Sequence, residues 1–76
     1  MQLKQIGSNM TELSLPDNLS VLFSYETPVA GWDQDGPFKT KQFYSRTTSK
    51  HINKYFDGQT DPRLVSQDYI NQLTEG

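Results

Sequence analysis

Apolar residues recur with a period of two along the first half of this 76-residue chain and with a period near 3.6 beyond Thr47. That single change of period places strands first and helices second, which predicts an α+β fold. Leu3 to Ile6 and Thr11 to Leu15 alternate on either side of Gly7-Ser-Asn and read as a hairpin. After the Pro16-Asp-Asn turn, Val21, Phe23 and Tyr25 point to one side of an extended segment, and Leu22 and Ser24 to the other. Extension continues through Pro28-Val-Ala to Trp32, with Pro28 expected at a bulge or an edge. Asp33-Gln-Asp-Gly-Pro37 is the strongest turn, since Gly36 accepts positive φ and Pro37 brings no N–H to a ladder. A strand is predicted from Phe38 to Arg46, with Lys39, Lys41 and Phe43 sharing a face.

Two helices follow in this reading. The first spans about 49–57: Thr47-Thr-Ser49 offers hydroxyl caps, Ile52, Tyr55 and Phe56 form the inner face, and Lys50 and Lys54 lie opposite. Asp57-Gly58 closes it. The second, about 66–74, has Asp68 in its first turn, Val65 placed to staple against Ile70, and Tyr69, Ile70 and Leu73 directed inward. The expected architecture is β-β-β-β-α-α in one domain, residues 1–76, with an antiparallel sheet of three to four strands against the helices. Its core is expected to draw on Leu13, Val21, Leu22, Phe23, Ile52, Phe56, Ile70 and Leu73.

A chain this short supports one small core, worth no more than roughly 3–5 kcal/mol, and without cysteine no disulfide reinforces it. Homo-oligomerisation is therefore an open route to stability. The lack of cysteine, and of an apolar run near Met1, leads to the expectation of a cytoplasmic protein with no membrane segment.

Charge is distributed unevenly. Residues 39–54 carry +5 with no acidic residue, against −4 before them and −3 after, for a net −2 and a pI near 5.1. The segment Lys39, Lys41, Phe43, Arg46, Lys50, Lys54 has two readings: a contact surface, or an edge strand protected by lysines beside a solvated helix face. Trp32, next to a glycine and an acidic turn, is either a core plug or an interface anchor.

Signatures of chemistry are absent. His51 is the sole histidine, so metal or nucleophilic chemistry lacks its companions and a structural or contact role is expected. Asp33-Gln-Asp35 does not continue as a calcium loop, because Phe38 and Tyr44 stand where glycine and glutamate are needed. Asp57 and Asp61 fit helix termination. No two glycines are spaced to cradle a phosphate, although the N–H groups at the first helix start, flanked by Arg46 and Lys50, could receive an anion. Neither cofactor nor metal is expected.

Thr27-Pro-Val-Ala30, the turn at Asp35-Gly36, Thr47-Thr-Ser-Lys-His-Ile-Asn-Lys-Tyr55 and the opening Lys4-Gln-Ile-Gly-Ser-Asn-Met-Thr11 together resemble a family of small phage-encoded proteins of unknown function. The resemblance covers about residues 20–56. It departs at Tyr55, where an indole is common, and in the loop from Trp32 to Pro37. What it implies is a viral or prophage origin and a compact α+β fold, with no mechanism attached.

The expected function is that of a non-enzymatic accessory protein that binds a host or viral protein and modulates it by occupancy. Its contact residues are expected to be Trp32, Lys39, Lys41, Phe43, Arg46, Lys50, His51 and Lys54. The alternative is a nucleic-acid binder tracking phosphates with residues 39–54 and stacking Phe43 or Tyr44 on a base.

Overall fold

The computed structural model describes residues 2–58 and 60–75. Six strands form one sheet: β1 (Gln2–Gly7), β2 (Met10–Leu15), β3 (Leu19–Ser24), β4 (Thr27–Asp33), β5 (Gly36–Thr40) and β6 (Arg63–Val65). Helix α1 (Arg46–Phe56) lies between β5 and β6, and α2 (Gln67–Glu75) follows β6. The spatial order is the chain order, β1-β2-β3-β4-β5-β6. The first five strands form an antiparallel meander, while β6 runs parallel to β5. The class is α+β, but the sheet is mixed and has six strands where three to four were expected.

Val21 and Leu22 show how the helices are placed. Successive strand residues face opposite sides of a sheet, and here each side has its own helix. Leu22 packs with Met10, Val29, Ala30, Ile52 and Phe56 beneath α1. Val21 packs with Phe38 and Ile70 beneath α2, joined at the margin by Leu15, Leu19, Phe23, Val65, Tyr69 and Leu73. The expected single core is thus two half-cores separated by the sheet. Leu13, Val21, Leu22, Ile52, Phe56 and Ile70 are buried as anticipated, whereas Phe23 and Leu73 are only partly covered. Met10, Val29, Ala30 and Phe38 were missed, and all are buried.

Pro28 does sit at a bulge: the β3–β4 register slips between Leu22 and Phe23, so that Phe23 faces Pro28 while Leu22 faces Ala30. The Pro28 carbonyl accepts from Gln67 Nε2 of α2 at 2.7 Å. Gly36, at φ 109, closes the β4–β5 hairpin as the turn required.

The strand expected to run to Arg46 stops at Thr40. Thr40 Oγ1 accepts from the Gln42 N–H at 3.1 Å, which takes that donor out of the ladder. Five residues later Ser45 caps α1, its Oγ accepting from Thr48 N–H at 3.1 Å. The helix therefore begins at Arg46, one turn earlier than the Thr47-Thr-Ser49 hydroxyls implied. At its far end Asp57 adopts the left-handed conformation, with φ 53, and donates its N–H to Asn53 O at 2.8 Å, and Gly58 follows at φ 66. Ser66 caps α2 through Tyr69 N–H at 3.2 Å. Val65 lies in β6 and shares a cluster with Ile70, as the staple predicted.

Asp33 ties the β4–β5 turn to β6 and α2. Its Oδ1 accepts from Arg63 Nη2 at 2.6 Å and from Asp35 N–H at 2.9 Å, and its Oδ2 accepts from Tyr69 OH at 2.5 Å. Burial pushes the Asp33 carboxyl up, but the hydrogen bonds from Tyr69, Arg63 and the Asp35 N–H outweigh it and hold the carboxyl below the ordinary aspartate range. With the folded pKa depressed, the stabilisation is present above the unfolded value of about 3.9 and is lost as pH falls through the folded value. Urea unfolding at about pH 6 and about pH 3 should accordingly show the wild type losing more stability than Asp33→Asn over that interval. Equal losses would show that Asp33 is not the group responsible.

Candidate functional site

Helix α1 is the crossover between the parallel strands β5 and β6, yet it does not sit over them. Ile52 and Phe56 seat it on β2, β3 and β4 through Met10, Leu22, Val29 and Ala30. Tyr55 OH reinforces the position by donating to Glu12 Oε2 of β2 at 2.5 Å. Burial is the larger cause, and the Glu12 hydrogen bond the second, that push the Tyr55 hydroxyl far above its usual value. The α1-side face of β5 and β6 is left uncovered and becomes the floor of a groove.

That groove, about 290 Å³, is lined by Lys39, Thr40, Lys41, Gln42, Phe43, Ser49, Ile52, Asn53 and Leu64. The β5–β6 register sets Lys39 beside Leu64. Lys41 extends the ladder by one bond, its N–H donating to Val65 O at 2.8 Å, and the chain then turns off toward α1. Phe43, on that connection, is 71% exposed, and Leu64 is 59% exposed. Water surrounds both, so neither contributes much burial to folding.

At 100° per residue, Ser49 and Asn53 form the helical wall of the groove, and Arg46, Lys50 and Lys54 at i, i+4, i+8 form the next row outward. All three are exposed. The Arg63–Asp33 salt bridge lies on the other side of the sheet from this segment. No acidic side chain lines the groove.

The structure thus gathers six of the eight anticipated contact residues: Lys39, Lys41 and Phe43 in the groove, with Arg46, Lys50 and Lys54 on the adjoining ridge. The two lysines and Phe43 meet there through the turn after Thr40 and not on a common strand face. His51 and Trp32 lie elsewhere. His51 is on the opposite flank of α1, its Nδ1 2.7 Å from Ser24 Oγ and its ring 5.8 Å from that of Tyr25. Ser24 Oγ is also 3.1 Å from Thr48 Oγ1, which accepts from Ser45 Oγ at 3.3 Å. A serine hydroxyl against an imidazole has the geometry of a nucleophile and its base, but Ser24 is 2% exposed and out of reach of a substrate. The chain of hydroxyls satisfies buried polar groups and positions α1. Trp32 is 37% exposed and meets Phe56 edge-on at 5.9 Å, so it serves mainly as a lid on the α1 half-core.

Sequence reasoning missed Leu64, Gln42, Ser49, Ile52 and Asn53 as groove residues. For Leu64 no periodic signal exists, because β6 has three residues and follows directly on Asp61-Pro62. Ser49 and Asn53, three and seven residues after Arg46, were legible as one helix face once the start of α1 was known.

Among the described residues no group of three or more histidine, aspartate or glutamate side chains is placed to hold a metal ion, and no helix is long and apolar enough to cross a membrane. Cations, amides and two exposed apolar side chains make a surface suited to binding. In comparisons with known proteins, a family model described as Family of unknown function (DUF8033) matches residues 1–72. No curated protein and no solved structure matches the chain.

Proposed function

The chain belongs to the family of unknown function DUF8033, and from that premise we propose that it is a non-enzymatic accessory protein of phage type that binds a host or viral protein and modulates it by occupancy. The observation that carries this reading is the groove between α1 and β5–β6, where Lys39 and Lys41 line the same surface as the exposed Phe43 and Leu64 and no acidic side chain joins them. A folded domain gains little by leaving a phenylalanine and a leucine in water beside two lysines, while a partner that covers them gains burial and charge complementarity together.

Phe43, flanked in sequence by Lys41 and Arg46, favours a second reading in which it stacks on a base of single-stranded nucleic acid. Charge outside the segment weighs against it. Residues 1–38 and 55–76 carry −4 and −3, so the chain outside the segment offers a long polyanion no net attraction.

Affinity capture from a bacterial host lysate tests the proposal, run with the wild type, with Lys39→Glu/Lys41→Glu, and with Leu3→Ser on the far edge strand as a control. A protein retained by the wild type and by Leu3→Ser, and lost with the double lysine variant, is the expected result. Recovery of nothing above a scrambled-surface control, or retention by the double variant, overturns the reading. Anisotropy titration of labelled single-stranded DNA and RNA at about 50 and about 200 mM salt addresses the second: steeply salt-dependent micromolar binding would replace protein with nucleic acid as the partner.

A further inference from the structure

We infer that the groove takes an acidic, extended protein segment bearing one apolar side chain, which seats against Phe43 and Leu64 above Ile52 while flanking carboxylates meet Lys39, Lys41 and Arg46. This rests on the reading of the groove as a protein-binding surface.

The chemistry of the two rims fixes the occupant. Lys39 on the strand floor and Lys41 at the strand end stand on one side, and Arg46, one helical row beyond Ser49 and Asn53, stands on the other. Negative groups are therefore wanted along both margins and an apolar group between them. An acidic polypeptide with a central leucine or phenylalanine offers that arrangement in consecutive residues, because an extended chain alternates its side chains at about 3.3 Å per residue. The aliphatic part of the floor, Leu64 and Ile52, lies beside the Phe43 ring and matches an apolar side chain, which a phosphate backbone does not supply. Length is limited as well. The basic run ends at Lys54, and Asp61 follows in the return to β6, so a short acidic segment fits where a long polyphosphate chain would meet like charge.

Anisotropy titration tests this with three labelled probes: a glutamate peptide with a central leucine, an all-glutamate peptide of the same length, and an oligothymidylate of matched charge. The leucine peptide should bind in the micromolar range, about tenfold more tightly than the all-glutamate peptide, and weaken several-fold between about 50 and about 200 mM salt. Phe43→Ala should erase the leucine preference and keep the salt dependence. Lys39→Ala/Lys41→Ala should remove the salt dependence and most of the binding. These side chains are exposed or at the groove rim, so a circular dichroism melt checks that the variants keep the wild-type transition. Tighter binding of the oligothymidylate, equal binding of the two peptides, or indifference to the lysine variant each overturns the inference. Absence of peptide binding alongside a lysate partner that still requires Lys39 and Lys41 overturns this occupant and leaves the proposed function standing, whereas loss of both removes both.

Discussion

Gly31→Ala is expected to cost at least about 4 kcal/mol, comparable with the whole of the roughly 3–5 kcal/mol that a core this small supplies. Gly31 lies in the centre of β4, opposite Val21 on one side and Phe38 on the other. A Cβ there would stand 2.0 Å from the Ser20 carbonyl oxygen and 2.8 Å from Phe38 Cζ. A flexible side chain can swing away, but the Ser20 carbonyl belongs to the β3 backbone, so relief requires parting β3 from β4 in the middle of the sheet. Gly36→Ala is the informative comparison. Nothing lies within 4 Å of a Cβ at that position, and only its φ of 109 is costly, so a loss of about 1 kcal/mol or slightly more is expected. Urea denaturation followed through the fluorescence of Trp32 measures both. A Gly31→Ala protein as stable as Gly36→Ala would show that the strands accommodate the methyl group.

The second large effect belongs to Phe38. It is fully buried on the α2 side and meets Tyr69 edge-on, with ring centroids 5.8 Å apart at 89°. Its ring occupies the space that Gly31, lacking a side chain, leaves over the sheet. Phe38→Ala should cost about 3–5 kcal/mol, and Phe38→Leu, which keeps most of the volume, about 1–1.5 kcal/mol. Combining Phe38→Leu with Gly31→Ala should recover only part of the glycine penalty, because the shorter side chain removes the contact with Cζ and leaves the one with the Ser20 carbonyl. Full recovery in that double-mutant cycle would identify the ring, and not the backbone, as the obstacle.

The groove depends on the course of the chain between Thr40 and Arg46, and there sequence reasoning reached its limit. Thr40, Ser45, Thr47, Thr48 and Ser49 all have hydroxyls able to end a strand or start a helix. Tertiary contacts choose among them: Thr48 turns inward to Ser24, which leaves Ser45 as the cap and gives α1 an extra turn. The α+β class, the Gly36 turn, the bulge at Pro28 and the span of α2 were legible because each rests on a local rule with one strong signal. β6 had none, being three residues long and held by β5 and the Asp33–Arg63 contact. Phe38 was misjudged by default, since alternation alone does not say that both faces of the sheet will be covered. Lys39, Lys41 and Phe43, expected from sequence among the contact residues, line one groove with Leu64, which sequence did not offer.

Val21 and Leu22 are neighbours in the chain, but the sheet keeps their packing partners apart, and this separation bears on how such a protein can change over generations. Substitutions beneath α2 that share no partner with the α1 side should add to the effects of substitutions there without coupling to them. The groove is bordered by α1 and by the α1-side residues of β5 and β6, so its lysines, Phe43 and Leu64 can be exchanged while Val21, Phe38 and Ile70 keep the fold. A lineage facing a partner that varies would have one face free to diverge and another under constraint, within a single sheet.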